Sequence, residues 1–251
     1  MDSVTMLFYI IVFLFGITVG SFLNVCIYRI PAHESIVTGP SHCMSCGRRL
    51  RWFELFPLFS YLALRGRCAT CKARISPQYP LIEAGNGLAW ILVFRRIGSG
   101  PVAVLACLLV SALLVLSVID ARTREIPPGV TIFLLALGAA RVFFDLPNWS
   151  SYVIGFFAVS APLGLIWLIT RGRGIGGGDI KLMAACGLFL GWKCIILALF
   201  VGCVLGSVIH LSLMAAKKAG RVLALGPYLS GGIFLSLLWG NAALTWYFGL
   251  F

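Results

Sequence analysis

Acidic residues are scarce in this chain: its 251 residues hold only eight Asp and Glu, against twenty Lys and Arg. Charged side chains of either sign make up 11%, where a soluble domain carries about a quarter. That shortage excludes an ordinary soluble globular domain. No stretch reads as a long flexible linker, and no period of roughly 20–50 residues is present, which excludes a solenoid. No Gly-Lys-Ser/Thr follows the glycine-rich run, so the phosphate-loop reading falls away. The first apolar run has no basic segment ahead of it, Asp2 being the only early charge, and no small-x-small cleavage site. It reads as a retained helix rather than a signal peptide.

What fills the chain instead is apolar sequence: 60% hydrophobic residues and a mean hydropathy of +1.00. Long apolar runs lie at about 6–28, 81–94, 101–120, 130–144, 152–170, 180–192, 194–215 and 222–248. A membrane helix needs about 20 residues, so the runs 81–94 and 180–192 are short. The expected fold class is an all-α polytopic membrane protein of about eight transmembrane helices. The net charge of +12 fits membrane orientation rather than nucleic-acid binding. With eight spans and the N-terminus outside, the loop 29–80 falls on the cytoplasmic side with eight Lys/Arg. Arg122, Arg124, Arg171, Arg173, Lys181, Lys217, Lys218 and Arg221 fall there too. Only Arg95, Arg96, Arg141 and Lys193 fall outside. That bias places both termini on the extracytoplasmic side.

Of the four aspartates, Asp2 is terminal and Asp145 sits in a solvated extracytoplasmic turn. Asp120 closes the third run and Asp179 opens the sixth, after Gly174-Ile-Gly-Gly-Gly178. The topology puts both at the cytoplasmic face. Two adjacent carboxyls do not both ionise readily, which suits a pair that activates water and polarises a carbonyl. An ionisable residue near membrane depth is a functional candidate by default. Each also has a plainer reading. Asp179 suits a helix N-cap, and Asp120 suits an ion pair with Arg122 or Arg124. Gly176, Gly177 and Gly178 let backbone approach closely and reach positive φ, as a substrate strand lying against them would require. Lys181 either meets Asp179 or snorkels to the interface. A transporter with the aspartates as an ion site is a second class of reading, weakened because both lie at one face instead of the midplane.

The loop 29–80 holds Cys43-Met-Ser-Cys46 and Cys68-Ala-Thr-Cys71. Two Cys-x-x-Cys knuckles supply the four thiolates of a tetrahedral zinc site; an all-sulfur site also suits iron. A reducing compartment argues against disulfides. The metal would be a structural staple for a segment with few apolar clusters. Cys26, Cys107, Cys186, Cys194 and Cys203 lie in apolar runs as small hydrophobes. His33 and His42 read as surface residues, and His210 as a hydrogen-bonded core histidine.

Taken together these residues resemble the type IV prepilin peptidases over nearly the whole chain. The resemblance rests on Gly20-Ser-Phe-Leu-Asn-Val-Cys-Ile-Tyr-Arg-Ile-Pro31, Pro40-Ser-His-Cys-Met-Ser-Cys46 and Glu54-Leu-Phe-Pro-Leu-Phe-Ser-Tyr61. It continues through Arg65-Gly-Arg-Cys-Ala-Thr-Cys71, Ile75-Ser-Pro-Gln-Tyr-Pro-Leu-Ile-Glu83, Asp120 with Ile126-Pro127, Gly176-Gly-Gly-Asp179-Ile-Lys181 and Gly226-Pro-Tyr-Leu229. It implies an aspartic endopeptidase with Asp120 and Asp179 as catalytic residues and the four cysteines as zinc ligands. Implied substrates are prepilins or pseudopilins met in the lipid bilayer, cut after a glycine at the cytoplasmic side. N-methylation of the new N-terminus by S-adenosylmethionine would follow. Pro128 departs from the acidic or amide residue frequent there in the family. The implied layout is a first transmembrane helix at 1–28, a cytoplasmic zinc-binding domain at 29–80 and a transmembrane peptidase core at 81–251.

Overall fold

The computed structural model describes residues 2–216 and 223–249; Lys217, Lys218 and Arg221 lie outside them. The described chain is all-helical: α1 (Ser3–Arg29), a 3-10 turn (Trp52–Leu55), α2 (Phe59–Ala63), α3 (Gln78–Ile97), α4 (Pro101–Thr123) and α5 (Pro128–Phe143). There follow a second 3-10 turn (Leu146–Asn148), α6 (Trp149–Ala158), α7 (Ser160–Ile169), α8 (Gly177–Leu190), α9 (Trp192–Ala215) and α10 (Gly226–Phe248). Among the described residues, four segments are long and apolar enough to cross a membrane: Ser3–Arg29, Pro101–Thr123, Leu146–Ile169 and Trp192–Ala215. The other expected runs are helical too, but shorter or more polar. Helix α8 has 14 residues, and α3 carries Glu83, Asn86, Arg95 and Arg96. The chain divides into two compact units, Met1–Arg95 and Arg96–Phe251.

In the first unit, α1 and α3 run antiparallel and meet through glycine. A Cβ on Gly16 would lie 2.7 Å from the Gly87 Cα, and one on Gly20 would lie 2.7 Å from the Glu83 Cα. Lipid is as apolar as leucine, so membrane helices associate by close backbone packing and internal polar bonds. Both are present here. Asn86 Nδ2 donates to the Gly16 carbonyl at 2.8 Å, and Asn24 Nδ2 to the Tyr79 carbonyl at 3.2 Å. The segment between the helices is built from short turns.

In the second unit, α4 is the most enclosed helix. Ala106, Leu109, Leu116 and Ile119 are fully buried there, with α5 on one side and α10 on another. Helix α8 packs on α5 and α6, and α9 on α10. The seams are again small residues: a Cβ on Gly155 or Gly187 would run into the backbone of the other helix at the α6–α8 crossing. Helices α8 and α9 are separated only by Gly191, whose φ of +80° reverses the chain and suits a residue without Cβ. Pro128 is accommodated by position. It stands in the first turn of α5 behind Pro127 as N-cap, where its fixed φ and missing donor cost nothing.

Candidate active site and metal centre

Asp120 lies in the last turn of α4, where its main chain ends the helix: Arg124 takes the left-handed conformation at φ +58° and its N–H bonds the Asp120 carbonyl at 2.8 Å. The carboxyl group is turned inward and the residue is only 5% exposed. Its Oδ2 accepts the backbone N–H of Gly226, the first residue of α10, at 2.9 Å. A Cβ on Gly226 would stand 2.6 Å from that oxygen. Glycine is therefore required for the approach. The surface ion pair with Arg122 or Arg124 does not describe this buried, amide-bonded carboxylate.

Asp179 is the third residue of α8. The N-cap is Gly176, in extended backbone with φ −69°, so Asp179 is not the cap itself. Its carboxylate reaches back toward the Gly176 N–H, as an acidic third-position residue does in a capping box. The segments that carry the two aspartates meet at Gly178. Ile126, in the connector after Asp120, lies against Gly178: a Cβ there would be 2.8 Å from the Ile126 Cβ. The two aspartate-bearing segments thus abut directly.

The glycines divide in function. Gly177 and Gly178 are already helical and Gly176 is extended, so none of the three uses positive φ; Gly172, at φ +77°, does. The expectation of left-handed backbone at 176–178 is corrected, because the chain turns earlier, at the end of α7. Close approach holds at Gly178. The turn is tied by Thr170 Oγ1, which accepts the Gly174 N–H at 3.3 Å. Lys181 is exposed and no ion pair with Asp179 occurs among the described residues. His210 differs from expectation: its Nε2 is buried with no hydrogen-bond partner among the described residues. It borders a cavity of about 380 Å³ shared with Cys203, Gly206, Ser207 and Leu225. Asp145 is more engaged than a solvated turn residue. It accepts from Tyr152, Asn148 and Arg141, and the Tyr152 hydroxyl is the main cause holding its carboxyl below the usual aspartate range.

In the first unit, the four cysteine sulfurs lie within 4.8 Å of one another. Cys43 Sγ and Cys71 Sγ are 3.9 Å apart. A metal at a thiolate distance of about 2.3 Å would place tetrahedral sulfurs about 3.8 Å apart, so the set fits one ion. The two knuckles repeat one design. The Cys43 N–H bonds the Arg48 carbonyl and the Gly47 N–H bonds the Cys43 carbonyl; Cys68, Ala73 and Lys72 do the same. Gly47 (φ +69°) and Lys72 (φ +59°) occupy the same left-handed position. Backbone amides aim at the first sulfur of each knuckle. Those of Cys46 and Ser45 lower Cys43, and those of Cys71 and Thr70 bring Cys68 down to about 6. Cys71 goes the other way: against the Ala73 amide, burial and the neighbouring Cys68, Cys46 and Cys43 sulfurs push it up to about 11. Beside them Arg48 binds both oxygens of buried Glu54, at 2.6 and 2.9 Å.

Residues 14–97 match the bacterial peptidase A24 N-terminal domain, and residues 107–211 match the type IV leader peptidase family. A protein of Pseudomonas putida named prepilin leader peptidase/N-methyltransferase is 35% identical over 90% of this chain and 88% of its own length. One of Bacillus subtilis with the same name is 35% identical over 94% of this chain and 96% of its own. One of Pseudomonas aeruginosa, also so named, is 32% identical over 91% and 89%. No solved structure matches the chain. With relatives this similar along nearly their whole length, the chain belongs to the type IV leader peptidase family.

Proposed function

We propose that this chain is a membrane aspartic endopeptidase that removes the leader from type IV prepilins or pseudopilins at the cytoplasmic face, and then N-methylates the new N-terminus from S-adenosylmethionine. Asp120 and Asp179 are its catalytic pair. The observation that carries this reading is the abutment of their two segments through Gly178 and Ile126. Two such groups titrate as a pair, and one holds a proton while the other is ionised. The ionised carboxylate takes a proton from water as the water oxygen bonds to the scissile carbonyl carbon. The protonated one donates to the carbonyl oxygen. Breakage of the C–N bond then transfers a proton to the leaving amine and frees the new N-terminus.

The Gly226 N–H fixes one oxygen of Asp120, so its carboxylate plane is set before substrate arrives. Gly176–Gly178 supply backbone with little side-chain cover, against which an unwound leader junction can lie. Lys181, exposed at the start of α8, snorkels to the membrane surface. The more polar α3, the short α5 and α8, and α10 complete an eight-span topology with both termini outside. The four cysteines hold zinc, which acts as a structural staple. Reconstitution of the chain in liposomes with a prepilin tests the activity. The mature product should appear, one methyl group heavier when S-adenosylmethionine is present. Intact substrate under those conditions contradicts the proposal.

A further inference from the structure

Between α1 and α3 the chain exposes a run of large apolar side chains outside any membrane helix. Trp52 is 74% exposed, Phe59 61% and Leu62 70%, with Phe53, Leu55 and Phe56 also exposed. Trp52 meets Phe53 and Phe56 edge-on, at ring-centre distances of 5.8 and 6.0 Å. Phe59 and Leu62 are three apart on α2 and share a face. A patch this apolar on a water-facing loop marks an interaction surface.

Its position says what it meets. The Leu58 N–H, between the 3-10 turn and α2, donates to Glu83 Oε2 at 2.8 Å, and Glu83 is buried in α3. Glu83 is five residues past the start of α3, which is about 7–8 Å along its axis. Its backbone lies against Gly20, nine residues before the end of α1 and so about 13–14 Å from it. The patch is therefore tied beside the α1–α3 contact at Gly20 and Glu83, inside the ends of both helices. The patch is also rigidly presented. Glu54 accepts the Arg51 N–H at 2.7 Å and both bonds from Arg48. Arg49, Arg51, Arg65, Arg67, Lys72 and Arg74 are exposed in the same segment between α1 and α3.

We propose that Trp52–Leu62 is an interfacial docking platform whose partner is the bilayer surface itself, with aromatic and aliphatic side chains at headgroup depth and the surrounding cations on anionic lipid phosphates. Tryptophan and phenylalanine beside exposed basic groups are the composition of such surfaces. A basic leader peptide is disfavoured as occupant by the like charge of the surrounding arginines.

The test uses the full chain in liposomes of phosphatidylethanolamine and phosphatidylglycerol, reading the Trp52 emission as wild type minus Trp52→Phe. Lipids brominated near the headgroup should quench that emission roughly twofold or more, while acrylamide in the water phase should have little effect, as for interfacial tryptophan. In the unsubstituted protein, replacing phosphatidylglycerol by phosphatidylcholine should speed amide exchange over 52–62. Quenching by acrylamide and not by bromolipid overturns the proposal. So does protection from both quenchers, which would mean a protein covers the patch, and so does exchange that ignores the anionic lipid.

Discussion

Gly226 donates its backbone N–H to Oδ2 of Asp120 across 2.9 Å, although 106 residues separate the two in sequence. The bond joins the first residue of α10 to the last turn of α4 and leaves no room for a side chain at 226. Replacing Gly226 with Ala puts a methyl group 2.6 Å from that oxygen and must displace the carboxylate. Leader cleavage by Gly226→Ala should fall by about ten- to a hundredfold, mostly in kcat, because a misplacement of about an ångström is enough. Wild-type activity with a folded Gly226→Ala protein would show that the amide does not position Asp120.

The glycine run offers a paired comparison. A Cβ on Gly178 meets Ile126 at 2.8 Å, whereas one on Gly177 finds only the Trp167 indole nitrogen, at 4.0 Å. Gly178→Ala should therefore wedge the two aspartate segments apart and lower cleavage by about tenfold or more. Gly177→Ala, in the same helical turn, should stay within about twofold of wild type, since alanine also favours the helix. Equal losses in the two variants would mean that the run acts by flexibility, not by the contact with Ile126.

Much of this site was legible in the sequence. Two Cys-x-x-Cys pairs point to a four-sulfur cluster because ligand spacing is a local property, and the sulfurs do converge. Asp120 and Asp179 stood out because carboxylates are rare in so apolar a chain. The helix runs were visible from hydropathy, although among the described residues only four segments reach spanning length and apolarity together. The bonds that join distant segments were not legible. Gly226 to Asp120, Gly178 on Ile126 and Leu58 to Glu83 are close approaches set by helix packing, and hydrophobic periodicity carries no record of them. The positive φ assigned to 176–178 belongs to Gly172, because a sequence of several glycines does not say which one turns the chain.

The cysteine cluster predicts a metal stoichiometry near one ion per chain, measured by elemental analysis of the purified membrane protein. Cys68→Ser should lower metal content by about tenfold or more and expose the 29–80 segment to protease, since a structural metal contributes folding energy directly. Retention of a full equivalent of metal in Cys68→Ser would contradict four-sulfur ligation.

Asp145 gives a pH-dependent prediction away from both sites. Its carboxyl is held below the usual aspartate value by Tyr152, then by Asn148 and Arg141. A depressed carboxylate stabilises the folded chain above its unfolded pKa, about 3.9, and that contribution is lost as pH falls through the lower folded value. The Tm gap between wild type and Asp145→Asn should be full at pH 6 and above and shrink below about pH 4. A gap independent of pH would mean that the ionised carboxylate is not what the cluster holds.

The central claim is the aspartate pair. Prepilin cleavage in liposomes should be compared for wild type, Asp120→Asn and Asp179→Asn, with folding of each checked by thermal unfolding. Each variant should retain its fold and lose cleavage by about three orders of magnitude or more, the loss expected when a member of a catalytic pair is removed. Cleavage near the wild-type rate by either folded variant would contradict the aspartic mechanism, and would leave that carboxylate as a structural group at the end of its helix.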